Sequence, residues 1–351
     1  MMSSTLSVIL NNPFLKWVGL LVISIKISKL SLIILKKSYF RVKLFCGYNP
    51  WRNIGKWAVV TGGSEGIGKA YAEELAARCF NVCLISRNIE KLNSVAKEIG
   101  NVSPMITVQE FTENYKVSTK TISVDFTNGP DIYKKIETEL LELDGGIGVL
   151  VNNVGMSYKY AEYFHAIPDG FNVIWDLINS NVTSCTMMMK IVMPIMNGKG
   201  IIINVSSLMA IYPMPLLAVY SASKAYMDYL SRATFYEYKD TGITIQSVLP
   251  SYVATKMSNR RPSLEIPSAK TYVSSAIKTV GIEDYTYGYF PHKIRGFIHQ
   301  WLKANMPACF NLALSLYFMT KSRESYFRKL QKKEEMVKKE FQASNVQEKE
   351  K

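Results

Sequence analysis

From residue 56 onward, short apolar runs alternate with longer stretches whose apolar residues recur at helical spacing. Strands that are covered on both faces carry few polar residues, so such runs are typical of a parallel sheet. The runs predict strands at residues 57–61, 82–85, 122–125, 149–151, 201–205 and 243–249. We therefore predict an α/β fold in which one parallel sheet is covered by helices on both faces.

Two parts of the chain do not follow this alternation. Residues 100–120 have mixed polarity and no clear period, which predicts a long surface loop. Residues 297–320 are apolar but are interrupted by Lys303 and Pro307, so we predict a patch that contacts a membrane or a second subunit. From Lys321 the tail mixes lysine and glutamate, which predicts a solvated helix or disorder.

The N-terminal segment is also apolar. Residues 14–35 are long enough to span a bilayer as a helix of about 20 residues. However, Lys26 and Lys29 interrupt the segment, and each would cost about 2.5 to 3.5 kcal/mol at the bilayer centre. Both lysines share one helix face with Lys36 and Lys37, which equally fits a helix lying in the membrane interface. We expect membrane association and leave spanning and lying open.

The formal charge of +14 is concentrated in the same part of the chain. Residues 1–56 contain no Asp or Glu, and their cations are Lys16, Lys26, Lys29, Lys36, Lys37, Arg41, Lys43, Arg52 and Lys56. Without a nucleic-acid-binding motif, this charge beside apolar sequence favours a membrane surface over nucleic acid. A spanning segment would leave the rest of the chain in the cytosol. A mitochondrial presequence is an alternative, because the segment lacks acids and is rich in serine.

These features divide the chain into an N-terminal membrane anchor at residues 1–50, a sheet domain at 51–290, and a C-terminal apolar patch with a charged tail at 291–351. The five cysteines and three histidines show no spacing typical of a disulfide framework or a metal site. We therefore expect no metal and a reducing compartment.

Tyr220 and Lys224 are the first candidates for chemistry. Four residues apart on a helix, they share one face, which brings an ammonium close to a phenol. An adjacent cation favours the phenolate, so we expect a lowered tyrosine pKa that suits a general acid for a carbonyl oxygen. Ser207 follows the predicted strand at residues 201–205, and its hydroxyl could orient the same oxygen.

A glycine-rich turn follows the first predicted strand. Side chains at Gly62, Gly66 and Gly68 would keep the backbone away from a pyrophosphate at the N-terminus of the next helix. The second strand ends at Ser86 and Arg87 without the acid that grips the ribose of NAD. Because a cation suits a 2′-phosphate, we predict that the cofactor is NADP(H).

These motifs occur together and in register. Residues 61–68, residues 152–155, Ser207 and the Tyr220–Lys224 pair resemble the short-chain dehydrogenase/reductase family in identity, order and spacing. The resemblance covers about residues 55–290. It implies a single Rossmann-type doubly wound sheet, a nicotinamide cofactor and a homodimer.

The resemblance also implies individual residue roles. The implied catalytic residues are Asn181, Ser207, Tyr220 and Lys224. Asn181 would hold a water that links the lysine to solvent; alternatively, it caps an internal helix kink. The implied cofactor-binding residues are Gly62, Ser64, Gly66, Ile67, Gly68, Arg87, Asp125, Asn153, Tyr220, Lys224, Val253 and Thr255. In that set Asp125 would lie near the adenine and Thr255 near the nicotinamide carboxamide.

Longer phrases, such as residues 152–158 and 246–250, resemble one branch of the family, the 17β-hydroxysteroid dehydrogenases of types 3 and 12. That branch contains the very-long-chain 3-oxoacyl-CoA reductases of the endoplasmic reticulum. The region also resembles hydroxysteroid dehydrogenase-like proteins, whose active-site tyrosine is replaced. Tyr220 is intact here, which favours catalysis over a nucleotide-binding scaffold.

The resemblance therefore implies NADPH-dependent reduction of a 3-oxoacyl-CoA at the endoplasmic reticulum membrane, with the sheet domain facing the cytosol. A 17-ketosteroid is the second substrate class, and the mitochondrion is the alternative location. In this family the segment at residues 256–270 closes over substrate, and here it carries Lys256, Arg260, Arg261 and Lys270. These cations could meet the phosphates of a coenzyme A ester.

Overall fold

The computed structural model describes residues 48–100 and 117–349, together with scattered helical positions between residues 13 and 45; side chains are described up to residue 338. The chain divides into two compact units, Met1–Arg52 and Asn53–Lys351. In the first unit, the described apolar side chains include exposed Phe14, Trp17 and Phe45. Lys26, Lys29, Lys36 and Lys37 lie outside the described residues. Over the described residues, none of the helices has the length and apolarity that a membrane span requires.

The second unit is built on one sheet of seven parallel strands. The strands are β1 Trp57–Thr61, β2 Asn81–Ser86, β3 Thr119–Ser123, β4 Ile147–Asn152, β5 Gly200–Val205, β6 Ile243–Val248 and β7 Tyr285–Thr286. Their spatial order is β3-β2-β1-β4-β5-β6-β7. This order confirms the predicted single parallel sheet of the Rossmann type.

Helices connect and extend these strands. They are α1 Gly66–Ala76, α2 Ile89–Gly100, α3 Asp131–Leu141, α4 Gly170–Ile178, α5 Ser184–Ile195, α6 Ala218–Tyr238, α7 Ala269–Ala276, α8 Phe290–Asn305 and α9 Ala308–Lys349. A single π-helical turn, Asn179–Thr183, joins α4 to α5. The tail is therefore helical, the first of the two states that its charge pattern predicted.

The direction of the connections explains why helices cover both faces. Helices α1 and α2 connect strands while the sheet grows toward β3, whereas α3, α5 and α6 connect strands while it grows toward β6. Because such crossovers are right-handed, the two sets fall on opposite faces. Every residue of β1, β4 and β5 is buried as a result, which agrees with their nearly continuous apolar sequences.

The main apolar core lies on the face covered by α3, α5 and α6. Leu150 of β4 and Ile202 of β5 pack in one cluster with Ile136, Met188 and Met227 from those three helices. These three helices cover one face of the sheet, and the carboxyl ends of its strands remain available for a site. The chain turns outward from β1 toward β3 and returns at β4, so β1 and β4 flank the switch point where open α/β sheets bind ligands.

The boundaries of the third strand were predicted wrongly. β3 begins at Thr119 and ends at Ser123, so Asp125 lies two residues beyond the strand and Thr119 belongs to the sheet instead of the predicted surface loop. β3 is an edge strand that pairs only with β2, and most of its side chains are only partly buried. Its polar sequence therefore lacks the apolar signature that reveals the central strands. Residues 101–116 of the predicted loop lie outside the described residues.

Candidate active site

The glycine turn joins β1 to α1 at the carboxyl edge of the sheet. Gly62 and Gly66 have positive φ values of 64° and 61°, which side chains disfavour. Glu65 precedes α1 without a side-chain capping bond, and the first turn of the helix contains no acid. An uncapped helix N-terminus presents backbone N–H groups and a positive dipole end, which suits a phosphate. The turn therefore fits the pyrophosphate of a dinucleotide.

Gly68 also meets a packing constraint. A Cβ atom at Gly68 would lie 2.3 Å from the Gly62 carbonyl oxygen and 2.5 Å from Asn153 Nδ2. The missing side chain therefore allows α1 to pack on its own turn, and the predicted approach of a pyrophosphate stays a prediction. At Gly66, a Cβ would lie 3.3 Å from the Thr255 side chain, which brings Thr255 to the glycine turn.

Thr61 and Asn153 lock the turn to the end of β4. Thr61 Oγ1 accepts the backbone N–H groups of Asn153 and Val154 at 3.0 and 3.1 Å. Asn153 Nδ2 donates to the carbonyl oxygens of Thr61 and Gly62 at 3.1 and 3.2 Å. The Asn153 side chain thus holds the cofactor turn in shape, and Thr61 has a role that the sequence motif did not reveal.

The other predicted cofactor residues lie around the same edge. Ser64 Oγ lies 3.2 Å from Ser86 Oγ at the end of β2, and the Arg87 side chain that follows is exposed. Lys91, which the sequence did not single out, pairs with Glu65 at 2.9 Å. The Glu65 carboxylate is thus paired with Lys91, and the Arg87 side chain is exposed.

Three further cofactor candidates, Asp125, Val253 and Thr255, shape loops, and a fourth, Ile67, lies in a helix. The Asp125 carboxylate accepts the backbone N–H and the hydroxyl of Thr127 at 3.0 and 2.9 Å, so it stabilises the turn after β3. Val253 is buried, and its carbonyl oxygen accepts the Ser258 hydroxyl at 2.6 Å. Thr255 Oγ1 accepts the Ser258 backbone N–H at 3.4 Å. Ser258 therefore fixes the loop that brings Thr255 to the glycine turn. Ile67 lies half-buried in the first turn of α1.

Lys224 lies on α6 one turn after Tyr220, as predicted. The lysine is 5% exposed, and its Nζ donates to the Val205 carbonyl oxygen at the end of β5 at 3.1 Å. Ser206 Oγ donates to the Lys224 carbonyl oxygen at 2.6 Å, which fastens this turn of α6 to the same strand. Burial disfavours the ammonium and lowers the pKa of Lys224 to about 8.

The pKa of Tyr220 differs from the predicted one. Burial raises the pKa of the phenol above its ordinary value, hydrogen bonding to Ser207 opposes the rise, and the neighbouring Tyr252 adds to it. The expected lowering of the pKa by Lys224 is therefore wrong for this protein. The physical reason is that the phenol is withdrawn from water, while the Lys224 ammonium is directed to the Val205 carbonyl. Ser207 lies beside the phenol, as its predicted role requires.

Asn181 lies within the π-helical turn and is fully buried. Its Oδ1 accepts the Met156 N–H at 2.8 Å, and its Nδ2 donates to the Met156 carbonyl at 3.0 Å and to Ser223 Oγ at 2.9 Å. Ser223 in turn donates to the Tyr220 carbonyl at 2.7 Å. Both amide hydrogens are thus engaged with protein atoms, and the side chain links the segment after β4 to the helix that bears Tyr220.

Gly155 brings Asn181 and Lys224 together. A Cβ atom at this position would lie 3.1 Å from Asn181 Oδ1 and 3.2 Å from Lys224 Nζ. A Cβ atom would therefore press on both polar side chains, which would have to move by a few tenths of an ångström. Asn181 Oδ1 and Lys224 Nζ thus lie close to the same backbone position.

Apolar side chains border Tyr220 on its other side. Tyr158, Met209, Met214, Tyr220 and Met319 all pack against a buried cluster of Ala161, Leu216 and Leu217. Met319 comes from the distant helix α9, and Tyr220 borders the same apolar cluster.

The basic segment after β6 is held to α8. The Ser251 hydroxyl accepts a hydrogen bond from Arg295 Nη1 at 3.0 Å. Arg295 also pairs with Glu265 at 2.9 Å. Arg260 stacks over the Tyr252 ring at 4.1 Å, beside Tyr220. Lys256, Arg261 and Lys270 are exposed.

The site combines an uncapped glycine turn at a sheet switch point with a buried lysine, a tyrosine one helical turn away and a neighbouring serine. This combination defines a nicotinamide-dependent oxidoreductase. Comparison with known proteins gives the same class. A family model described as short chain dehydrogenase matches residues 56–265. The chain belongs to the short-chain dehydrogenase family.

Curated relatives extend the similarity almost to the whole chain. The very-long-chain 3-oxoacyl-CoA reductase of Macaca fascicularis is 43% identical over 91% of this chain and 97% of its own length. The Homo sapiens protein of the same name is 42% identical over the same shares. The Danio rerio reductase-B is 50% identical over 70% of this chain and 75% of its own length.

Solved structures agree with the fold. A 7β-hydroxysteroid dehydrogenase aligns with a TM-score of 0.64 and 24% identity, covering 78% of this chain and 100% of its own. A short-chain dehydrogenase from Sphingobium yanoikuyae in complex with NADPH aligns with a TM-score of 0.57 and 25% identity, covering 72% and 96%. The second similarity supports a nicotinamide cofactor.

Proposed function

We propose that this protein reduces the 3-keto group of long-chain 3-oxoacyl-CoA esters with NADPH. The observation that carries the proposal is the convergence of Ser207, Tyr220, Lys224 and Asn181 at the sheet edge that also bears the glycine turn. Relatives that match nearly the whole chain are named very-long-chain 3-oxoacyl-CoA reductases, which supports this substrate class.

The chain's own residues would handle the proton and the carbonyl oxygen. A bound reduced nicotinamide supplies the hydride. Ser207 donates a hydrogen bond to the ketone oxygen, and Tyr220 gives that oxygen its hydroxyl proton as negative charge develops there. The raised pKa of Tyr220 keeps the phenol protonated at neutral pH, so the acid is ready before substrate arrives.

Lys224 and Asn181 would restore the proton. The phenolate left on Tyr220 is a stronger base than the neutral Lys224 amine, because the pKa of Tyr220 is raised and that of Lys224 is lowered to about 8, so the lysine can return a proton to it. Asn181 Oδ1 and Lys224 Nζ lie close to the same backbone position, Gly155. A water held by Asn181 would pass protons from solvent to the lysine.

The preference for NADPH rests on Arg87. This exposed arginine follows β2 at the position where an acid would select NAD, and Glu65 is engaged with Lys91. Arg87→Glu is expected to raise the Kd for NADPH about tenfold or more while leaving that for NADH within about threefold. Lys97→Glu, an exposed change on α2, the helix that follows Arg87, serves as the control. Equal losses for both cofactors would contradict a 2′-phosphate contact.

The coenzyme A part would meet the segment that follows β6. Lys256, Arg261 and Lys270 are exposed there, and Arg260 lies over Tyr252 beside the acid. Cations at the rim of a site attract phosphates and accelerate encounter. The arrangement supports an acyl-CoA over a neutral ketosteroid.

The direct experiment is an NADPH consumption assay with protein in membranes. A long-chain 3-oxoacyl-CoA is compared with estrone and androstenedione at equal concentrations. The proposal predicts rapid turnover of the acyl-CoA only. Turnover of a steroid alone would favour a 17β-hydroxysteroid dehydrogenase, and NADPH binding without any oxidation would favour a nucleotide-binding scaffold.

We further propose that the protein is bound to the endoplasmic reticulum membrane with the sheet domain in the cytosol. The apolar, basic sequence of residues 14–56 supports this. So does an exposed stripe on α8 that contains Phe290, Phe297 and Trp301. Carbonate extraction and fractionation of cells expressing the tagged protein test the proposal. Recovery with mitochondria, or in the soluble fraction before carbonate treatment, would contradict it. Carbonate extraction then separates a spanning segment, which stays with the membrane, from one that lies on its surface.

A homodimer through α4 and α6 is also part of the proposal. Phe171, Trp175 and Ile178 recur at helical spacing on α4 with exposures of 95%, 65% and 39%. Tyr229 on the neighbouring α6 is 68% exposed. An apolar face of this kind on a soluble domain is typical of a subunit interface.

A further inference from the structure

The C-terminal helix α9 contacts the segment that follows β4 through an ion pair between the buried Glu162 and the partly exposed Arg323. Glu162 is 5% exposed, and its two carboxylate oxygens accept Arg323 Nε and Nη2 at 2.8 Å each. A two-pronged arginine–carboxylate pair fixes distance and orientation together. This hydrogen bonding is the main cause that lowers the pKa of Glu162, so the pair stays charged at neutral pH.

Aromatic contacts reinforce the same junction. Tyr160 stacks on Tyr326 with ring centroids 4.6 Å apart and meets Phe327 edge-on at 5.1 Å. The Arg323 guanidinium lies 4.9 Å from the centre of the Phe327 ring. Polar and aromatic contacts together give the helix one defined position on this segment.

The junction continues to the turn that precedes Tyr220. The Glu162 backbone N–H donates to the Leu216 carbonyl oxygen at 2.9 Å. Leu216 has a φ of 62°, a left-handed conformation that costs a leucine energy and persists only where neighbours hold it. Tyr158 Oη accepts the Val219 N–H in the first turn of α6 at 3.1 Å. The segment held by Arg323 therefore also holds the start of the catalytic helix.

Met319 lies one helical turn before Arg323 and reaches the apolar surface beside the acid. Its half-buried side chain packs against Ala161, Leu216 and Leu217, the same cluster that Tyr220 packs against. Methionine is unbranched and flexible, so it can lie along a straight acyl chain but fills the space that a branched chain needs.

We propose that α9 forms the outer wall of the substrate site, with Met319 as a specificity-determining residue and the Glu162–Arg323 pair as positioning residues. The inference rests on the proposed ketone reductase function and adds the part of the chain that selects the carbon skeleton next to the keto group. It accounts for a buried carboxylate that the proton path does not use.

The first test changes the size of the side chain at Met319. Met319→Trp is expected to lower kcat/KM for a long-chain 3-oxoacyl-CoA about tenfold or more, mainly through KM, and to change acetoacetyl-CoA less than about threefold. Met319→Ala is expected to raise kcat/KM for a 2-methyl-branched 3-oxoacyl-CoA. Met336→Trp is the control, because Met336 is 62% exposed on the same helix. Equal effects on all three substrates would overturn the role of Met319.

The second test removes the ion pair between Glu162 and Arg323. Arg323→Met is expected to raise KM for the long-chain substrate about tenfold without changing the Kd for NADPH, and Arg323→Lys to recover part of the loss. The exposed Arg328→Met serves as the control. Unchanged kinetics in Arg323→Met, or a matching loss of NADPH binding, would overturn the positioning role.

A measurement without turnover separates this inference from the proposed function. If the wild-type protein binds NADPH but reduces no ketone, the proposed function fails. Hydrogen exchange at residues 158–163 still reports whether α9 holds the segment that follows β4. We expect faster exchange in Arg323→Met than in Arg328→Met. Equal exchange in both variants would overturn the inference even if the reductase activity were established.

Discussion

Lys224 and Tyr220 lie one turn apart on α6, and burial changes their pKa values in opposite directions. Burial lowers the pKa of the lysine to about 8 and raises that of the phenol. Loss of water disfavours the charged form of each group, which is the cation for lysine and the anion for tyrosine. The proton that is lost first as pH rises is therefore the lysine proton.

A pH profile of reduction tests this assignment. The folded protein carries a charged Lys224 below about pH 8 and a neutral one above it. Because only the charged lysine can replace the proton that Tyr220 gives up, kcat/KM for reduction is expected to fall as pH rises through about 8. Lys190→Met, an exposed change on α5, should keep the same profile. A flat profile up to pH 10 would contradict the role of Lys224.

Local spacing explains which site residues the sequence revealed. Tyr220 and Lys224 share a face because they are four residues apart on one helix, so their pairing needed no tertiary information. Tyr252 and Gly155 come from other elements, and only folding brings them to the acid and the lysine. The pKa direction of Tyr220 was missed because burial outweighs a neighbouring charge, and burial is a property of the packed molecule.

At the scale of elements, α1 and its glycine turn form one tightly packed unit. Gly68→Ala would place a Cβ 2.3 Å from the Gly62 carbonyl oxygen, so the helix must move. A destabilisation of about 1 to 3 kcal/mol is expected, with weaker dinucleotide binding, and thermal unfolding with and without NADPH measures both. Gly129→Ala is the control, because its Cβ would meet open space. A Gly68→Ala protein as stable as the control would contradict the packing argument.

The predictability of the elements follows their burial. β1, β4 and β5 are buried on both faces, and their apolar runs predicted them. The edge strand β3 and the two-residue strand β7 carry no such run, so β3 was misplaced and β7 was missed. The contact between Glu162 and Arg323 joins residues 161 positions apart, and no local pattern could indicate it.

At the scale of the whole molecule, the exposed face of α4 and α6 predicts self-association. Trp175→Glu would bury an unpaired charge in that interface, so the dimer is expected to dissociate to monomers. Light scattering on detergent-solubilised protein gives the mass. Leu141→Glu, which changes a 65% exposed side chain at the end of α3, is the control. An unchanged mass for Trp175→Glu would contradict this interface.

The account as a whole depends on Tyr220 acting as the proton donor to a reduced ketone. The most direct measurement is NADPH oxidation by Tyr220→Phe with a long-chain 3-oxoacyl-CoA, together with the Kd for NADPH. We expect kcat to fall by about 10²-fold to 10⁴-fold, the contribution of a general acid, while NADPH binds as in the wild type. Turnover near the wild-type rate would contradict the assignment.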